Sequence, residues 1–175
     1  LNNLGKLGDG TATQRTIPVQ MLLNENEYIN DAIDVTVLNQ NTYVLRSNGS
    51  VIGVGAGANG SLGNDATSNS SLPVEVLEYV ENDEGQTVTK QLTNITEITG
   101  GASTMYAKAK DGTVYSWGLG TSGELGNNAT SNNLTAAKVL NGVADSDLSE
   151  ILSIGAGYNH ALVVEKHGYV QTFGL

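Results

Sequence analysis

Asp111-Gly112-Thr113-Val114-Tyr115-Ser116-Trp117-Gly118, followed closely by Gly123-Glu124-Leu125-Gly126, is the stretch on which the fold turns, because both phrases recur. The second is also Gly5-Lys6-Leu7-Gly8 and Gly60-Ser61-Leu62-Gly63, with first glycines 55 and then 63 residues apart. The first returns as Asn48-Gly49-Ser50-Val51 and His167-Gly168-Tyr169-Val170. Self-similarity at a long, nearly fixed period marks one supersecondary unit used several times. A glycine repeated in every unit serves the unit before it serves any reaction.

Working outward from these phrases builds the unit. Asn-Gly and Asp-Gly supply the positive backbone angles of a two-residue hairpin turn. Apolar stretches precede the turns (residues 43–45, 106–109 and 161–164) and follow them (residues 51–54, 114–117 and 170–173). Each unit thus carries two short hairpin strands. The glycines of residues 55–60 and 118–123 then allow a tight turn and close approach of the next unit. Polar turns follow, and after them a third strand is predicted at residues 17–22, 72–77 and 136–140. Pro18 and Pro73 near its start suit an edge position, where no ladder donor is lost. A fourth strand is predicted near residues 33–37, 95–99 and 151–154. Four short strands per unit make the blade of a β-propeller, an all-β fold.

The units run at about residues 2–57, 57–120 and 120–175, and they differ most between the third and fourth strands. There the middle unit carries an insertion, residues 79–91, with Asp83-Glu84-Gly85 reading as the tip of an extended hairpin. Length variation confined to one connection marks a surface loop, often on the binding face of a repeat protein.

Composition narrows the function classes. The 175 residues suffice to bury roughly 70% of the unfolded surface. They include 22 glycines but only 15% charged residues, a balance that suits strands and turns better than a helical bundle. A net charge of −10, with eight cations and no two of them adjacent, argues against a nucleic-acid surface. Disulfides and thiolate metal sites are excluded, because the chain has no cysteine. No apolar run approaches the roughly 20 residues of a membrane span, so no membrane insertion is expected. The sequence begins at Leu1, inside a repeat, so the native start is expected to lie upstream.

The three phrases together resemble the RCC1 (regulator of chromosome condensation) repeat family. Its blade reads loosely Gly-x-x-His-x-x-Ala-Leu, Asp-Gly-x-Val-x-x-Trp-Gly, Gly-x-Leu-Gly. The fullest matches are Gly157-Tyr158-Asn159-His160-Ala161-Leu162, residues 111–118 and residues 123–126. The departures are Asn41 and Thr104 at the histidine position of His160, and Val54 and Phe173 at the position of Trp117. The resemblance implies RCC1-like propeller blades. Three of them form an incomplete ring, or one completed by oligomerisation, since propellers hold about four to eight blades. The chain ends near Phe173-Gly174-Leu175, where the next glycine turn belongs, and begins at roughly that turn. Head and tail are thus complementary, and a homodimer would complete a six-bladed ring. The other reading is a piece of a longer propeller. The Gly/Asn/Thr/Ser-rich style resembles bacterial exported or cell-surface repeats, which favours an extracellular or cell-surface setting.

Candidate sites weigh toward architecture. Gly5, Gly8, Gly60, Gly63, Gly123 and Gly126 read as structural repeat residues, and Trp117, Phe173 and Val54 as blade packing. His160 reads as a buried imidazole hydrogen-bonded to a neighbouring strand, and His167 as a solvated turn residue. Two histidines without His-x-x-x-His spacing make no zinc site. Asp9, Asp65, Asn127 and Asn128 fall in polar turns without an alternating ligand ladder, so Asx-turn chemistry accounts for them more simply than calcium. Gly55 to Gly60 fits Gly-x-Gly-x-x-Gly only superficially, since no helix follows it. Glu78, Tyr79, Glu81, Asp83 and Glu84 form a possible partner-binding loop able to attract a basic surface, or else a solvated hairpin whose charges discourage edge pairing.

These observations predict a non-catalytic protein-binding or scaffold module without cofactor, part of a larger protein. The resemblance adds guanine-nucleotide exchange or hydrolase inhibition through propeller-face loops as alternatives. A purely structural spacer in a surface protein is the third.

Overall fold

The computed structural model describes residues 1–142 and 146–175. A small hairpin, β1 (Leu22–Asn24) and β2 (Glu27–Tyr28), precedes the first blade. That blade is β3 (Ala32–Val37), β4 (Asn41–Arg46), β5 (Val51–Gly55) and β6 (Ser70–Glu75), antiparallel and paired in chain order. A second hairpin, β7 (Leu77–Glu81) and β8 (Thr87–Gln91), leads to blade two: β9 (Ile95–Gly100), β10 (Thr104–Ala109), β11 (Val114–Gly118) and β12 (Asn133–Lys138). A third hairpin, β13 (Leu140–Asn141) with β14 (Ser146–Asp147), leads to blade three, the three-stranded sheet β15 (Ile151–Ala156), β16 (His160–Glu165) and β17 (Val170–Gly174). Each complete blade takes its outermost strand, β6 or β12, from beyond the next Gly-x-Leu-Gly phrase, so consecutive repeats are interlocked.

The hairpin turns differ from the expected two-residue type. Arg46 N donates to Ser50 O and Gly49 N to Arg46 O, a pattern repeated by Ala109 with Thr113 and by Glu165 with Tyr169. This is a three-residue loop ending in a left-handed glycine, and only Gly49, Gly112 and Gly168 carry the positive φ. The preceding position needs no positive angle, which is why Asn48, Asp111 and His167 can all occupy it. The Asn48 and Asp111 carboxamide and carboxylate oxygens each accept the backbone N–H two residues on.

The strand expected at residues 17–22 is a second correction. Only Leu22 is in a strand, and residues 17–20 are exposed without ladder partners. The counterparts of these residues, in β6 and β12, are held by β5 and β11. No strand among the described residues does this for residues 17–20.

The cores lie between blades. Tyr43, Leu45 and Val51 of blade one meet Ile95, Ile98, Met105 and Trp117 of blade two. Tyr106 and Val114 of blade two meet Ile151, Ile154, Ala161 and Val163 of blade three. Equivalent aromatic pairs bridge both interfaces, Tyr43 with Trp117 and Tyr106 with Phe173, each edge-to-face with centroids 6.0 Å apart. The Tyr43 hydroxyl donates to Ser61 O and the Tyr106 hydroxyl to Glu124 O at 2.7 Å, tying each tyrosine to the next Gly-x-Leu-Gly turn. A polar staple joins blades two and three as well. Lys108 Nζ lies 2.9 Å from Glu97 Oε2 and donates to Leu152 O, while Glu97 Oε1 accepts from Ser153 Oγ and Ile154 N.

Candidate protein-binding face

The three hairpins leave the blades at the same end as the glycine turns. Val76 N donates to Val51 O and Ile95 N to Gly49 O, which brackets β7 and β8 against the turn of blade one. The hairpins share one anchoring scheme. Leu22, Leu77 and Leu140 N–H groups donate to Gly8, Gly63 and Gly126 carbonyls, and Ile29, Leu92 and Leu148 N–H groups donate to Met21, Val76 and Val139 carbonyls. Sequence reading found the hairpin only in the middle unit, where it is long. In the first unit the signal was the polar turn Asn24-Glu25-Asn26-Glu27, with Asn24 Oδ1 accepting Asn26 N–H. In the third unit, residues 143–145 between β13 and β14 lie outside the described residues.

The structure places Glu78, Tyr79 and Glu81 on β7 and Asp83 and Glu84 at its tip. Pairing of Glu78 with Lys90, Tyr79 with Thr89 and Glu81 with Thr87 puts Glu78 on one face and Tyr79 and Glu81 on the other. Glu78 and Ala136 are the register partners that join β7 parallel to β12. Burial raises the Glu78 pKa, while Lys90, a hydrogen bond with Tyr115 and Lys138 oppose it. The Tyr79 hydroxyl donates to Asp65 Oδ1 at 2.8 Å, so Tyr79 is half-exposed but anchored. At the tip Asn82 Oδ1 accepts the Glu84 and Gln86 N–H groups. Two other acids at this end are paired, Asp31 with Arg46 at 3.0 Å and Asp147 with Lys138 at 2.6 Å. Glu81, Asp83 and Glu84 form no ion pair among the described residues. Of the five candidate residues, the negative charge free to meet a partner is therefore at the hairpin tip and on the Glu81 face.

His160, expected in the interior, is exposed. Its counterparts Asn41 and Thr104 are buried, Asn41 Nδ2 donating to Ala56 O and Thr104 Oγ1 to Leu119 O at 2.8 Å. Those side chains are covered by the glycine-rich segments after β5 and β11, and no counterpart segment lies over His160 among the described residues. The His160 ring instead packs over Gly157, where a β-carbon would collide with it. Beside it a groove of about 400 Å³ is lined by Leu162, Thr172, Phe173 and Leu175. Trp117 is fully buried, and Phe173 is partly buried on the blade-two core. The polar turns behave as Asx turns: Asp65 and Asn128 are left-handed, and Asp9 Oδ1 accepts the Thr11 N–H and hydroxyl. No group of three His, Asp or Glu residues placed to hold a metal ion occurs among the described residues. No helix of the described residues is long and apolar enough to cross a membrane.

The fold and the anchored hairpins define a class: repeat blades of propeller type, packed face to face, that present variable loops from one end. Comparison with known proteins agrees. Residues 111–164 match the regulator of chromosome condensation (RCC1) repeat model. Residues 111–164 thus carry an RCC1 repeat. It is similar to human E3 ubiquitin-protein ligase HERC2, 26% identical over 174 residues, which is 98% of this chain and 3% of that protein. The mouse HERC2 ligase matches to the same extent. Among solved structures it resembles Prp20p from Saccharomyces cerevisiae, described with its binding to Gsp1p and histones, at TM-score 0.58 and 20% identity. That match covers 85% of this chain and 32% of Prp20p. Yeast RCC1 (Prp20) bound to Kap60 gives TM-score 0.56 at 20% identity, covering 82% of this chain and 29% of that one. The chain thus spans under a third of these structures and a small fraction of the ligases.

Proposed function

We propose that this chain is a non-catalytic protein-binding module whose contact surface is the hairpin end of the blades, led by β7–β8. The observation that carries the reading is the division of labour among residues. The repeated residues are consumed by blade packing, whereas the hairpins share only their anchoring hydrogen bonds and are free to vary beyond them. A rigid scaffold with loops of independent length and charge is suited to recognition. The unpaired acids Glu81, Asp83 and Glu84 suit a basic protein surface, attracting it at long range and losing strength with salt. The similar Prp20p, described with its binding to Gsp1p and histones, makes a protein the first class of partner to test.

The test is affinity capture with the full chain and with the triple variant Glu81→Lys, Asp83→Lys, Glu84→Lys. Partners retained at low salt by the parent and lost by the variant are expected. Identical capture by both proteins would contradict the assignment of the hairpin. An enzymatic activity abolished by a single polar substitution elsewhere would contradict the non-catalytic reading.

A further inference from the structure

We propose that the outer edge of β8 takes up an extended, basic segment of a partner protein as an added strand. This rests on the reading that β7–β8 leads the contact surface, and it names how the contact is made. β8 is the last strand of the six-stranded sheet β8-β7-β12-β11-β10-β9, so its far side pairs with no strand among the described residues. Hydrogen bonds at either end of the hairpin fix which groups are left over: Asn82 N donates to Gln86 O, and Leu92 N donates to Val76 O. Bonded pairs alternate along an antiparallel ladder. Val88 and Lys90 therefore turn their backbone groups toward β7, while Thr87, Thr89 and Gln91 turn theirs outward. The outward N–H and C=O groups form a row without backbone partners among the described residues.

Edge strands are ordinarily blunted by shortness, proline, a bulge, a charge or a covering loop. β8 runs five residues without proline and pairs with β7 in unbroken register. Its one charge, Lys90, stands near the root of the hairpin and shares a face with Glu78. Toward the tip the edge is Thr87-Val88-Thr89, exposed and β-branched, the residue types that suit a strand. The corresponding strands of the other hairpins, β2 and β14, are two residues each. Among the described residues, only β7–β8 of the three hairpins has an edge long enough to hold an added strand.

The edge is held in place before a partner arrives. β7 is joined to β12 through Glu78 and Ala136, and the Tyr79 hydroxyl donates to Asp65 Oδ1. The tip is tied by Asn82, whose Oδ1 accepts the Glu84 and Gln86 N–H groups. The ordering cost of docking then falls on the partner segment alone.

Charge selects the occupant. Pairing sets Glu81 beside Thr87 and Tyr79 beside Thr89 on one face of the hairpin. An added strand lies two strand spacings from β7, about 9–10 Å. The short Thr87 side chain leaves a lysine or arginine on that strand room to reach Glu81. Asp83 and Glu84 carry the negative charge past the tip end of β8, and none of the three acids has an ion pair among the described residues. A second copy of this hairpin would bring like charges to the same place, which disfavours edge-to-edge pairing of two chains. A basic segment is attracted by those charges. In strand addition the main-chain bonds supply affinity and alternate side chains supply specificity, and this edge offers both.

The probe is a fluorescent peptide of about eight residues, alternating lysine and threonine, with blocked ends. Two further versions carry backbone N-methyl groups, one at every lysine and the other at every threonine, so all three have the same charge. A strand bonds to a sheet edge through alternate residues only, so methylation of one set removes the donors and methylation of the other does not. Anisotropy titration with the full chain at low salt is expected to show one methylated peptide binding about tenfold or more weaker than the unmethylated one. The other is expected to stay within about threefold of it. Thr89→Pro removes an outward N–H and no bond to β7, and circular dichroism confirms that the fold is kept. It is expected to weaken the unmethylated peptide by about tenfold. Equal affinities for the three peptides, or no binding of the unmethylated one, would overturn strand addition. In that event, capture that still depends on Glu81, Asp83 and Glu84 would leave the contact surface on β7–β8, so the two failures are told apart.

Discussion

At the scale of single residues, identical backbone conformations with different surroundings separate geometry from packing. Gly60 and Gly123 have φ of +74° and +77°, but only Gly60 faces backbone atoms of the next blade. Substitution by alanine at Gly123 is expected to cost only the left-handed penalty of about 1 kcal/mol. Gly60→Ala adds overpacking and is expected to cost about 2–4 kcal/mol in total. Urea unfolding midpoints of the two variants check the order. Tyrosines set the alkaline limit of the molecule. Burial, followed by the negative charges of Glu78 and Asp111, pushes the Tyr115 phenol up to about 12, and burial also raises Tyr43 and Tyr106. Raised native values mean that stability is fully present below pH 10, the ordinary tyrosine value, and is lost as pH rises toward and past 12. A pH titration followed by tyrosinate absorbance is expected to show unfolding coupled to ionisation in that window. In Tyr115→Phe the loss is expected to be shallower over the same window, because Tyr43 and Tyr106 still resist ionisation in the folded state. At the acid end, Asp111 is lowered chiefly by the Thr113 N–H bond, so its contribution is lost only as pH falls below the usual aspartate range.

At the scale of elements, most of what the sequence displays is what each strand repeats. The glycine turns, hairpin strands, Asx turns and outer strands β6 and β12 were legible because every unit restates them. The two-residue turn reading failed because Asn-Gly and Asp-Gly also serve a three-residue loop, and only hydrogen bonds distinguish the two. The strand at residues 17–22 and the interior place of His160 failed for a shared reason: both depend on a neighbouring blade that the local pattern does not contain. The site was legible only in part. Glu78, Tyr79 and Glu81 look like one acidic cluster in sequence, but strand alternation divides them between two faces. The staple between blades two and three was not visible at all, since Lys108, Glu97 and Leu152 come from three strands. Lys108→Met is expected to remove that staple and destabilise blade three by about 1 kcal/mol, since Glu97 keeps its Ser153 and Ile154 donors. Hydrogen exchange of β15–β17 against that of β9–β12 measures it. Replacing residues 79–90 by a two-residue turn is expected to leave blade two folded, because β9–β12 pair among themselves. Unchanged protection in β10 and β11 checks it.

At the scale of the whole molecule, placing each hydrophobic core between blades has a consequence that single-domain folds avoid. Every blade has a donor face and an acceptor face, so an arc of blades ends in one of each. Repeat proteins meet this with capping units or ring closure. Here the faces between blades are consumed by stacking, so a partner meets the hairpin end, where β7–β8 carries acids without ion pairs among the described residues. Affinity capture by the full chain at rising salt tests this most directly: partners held at low salt are expected to be released as salt rises and to be lost by the triple variant Glu81→Lys, Asp83→Lys, Glu84→Lys. Equal capture by the parent and the variant at every salt concentration would contradict the account.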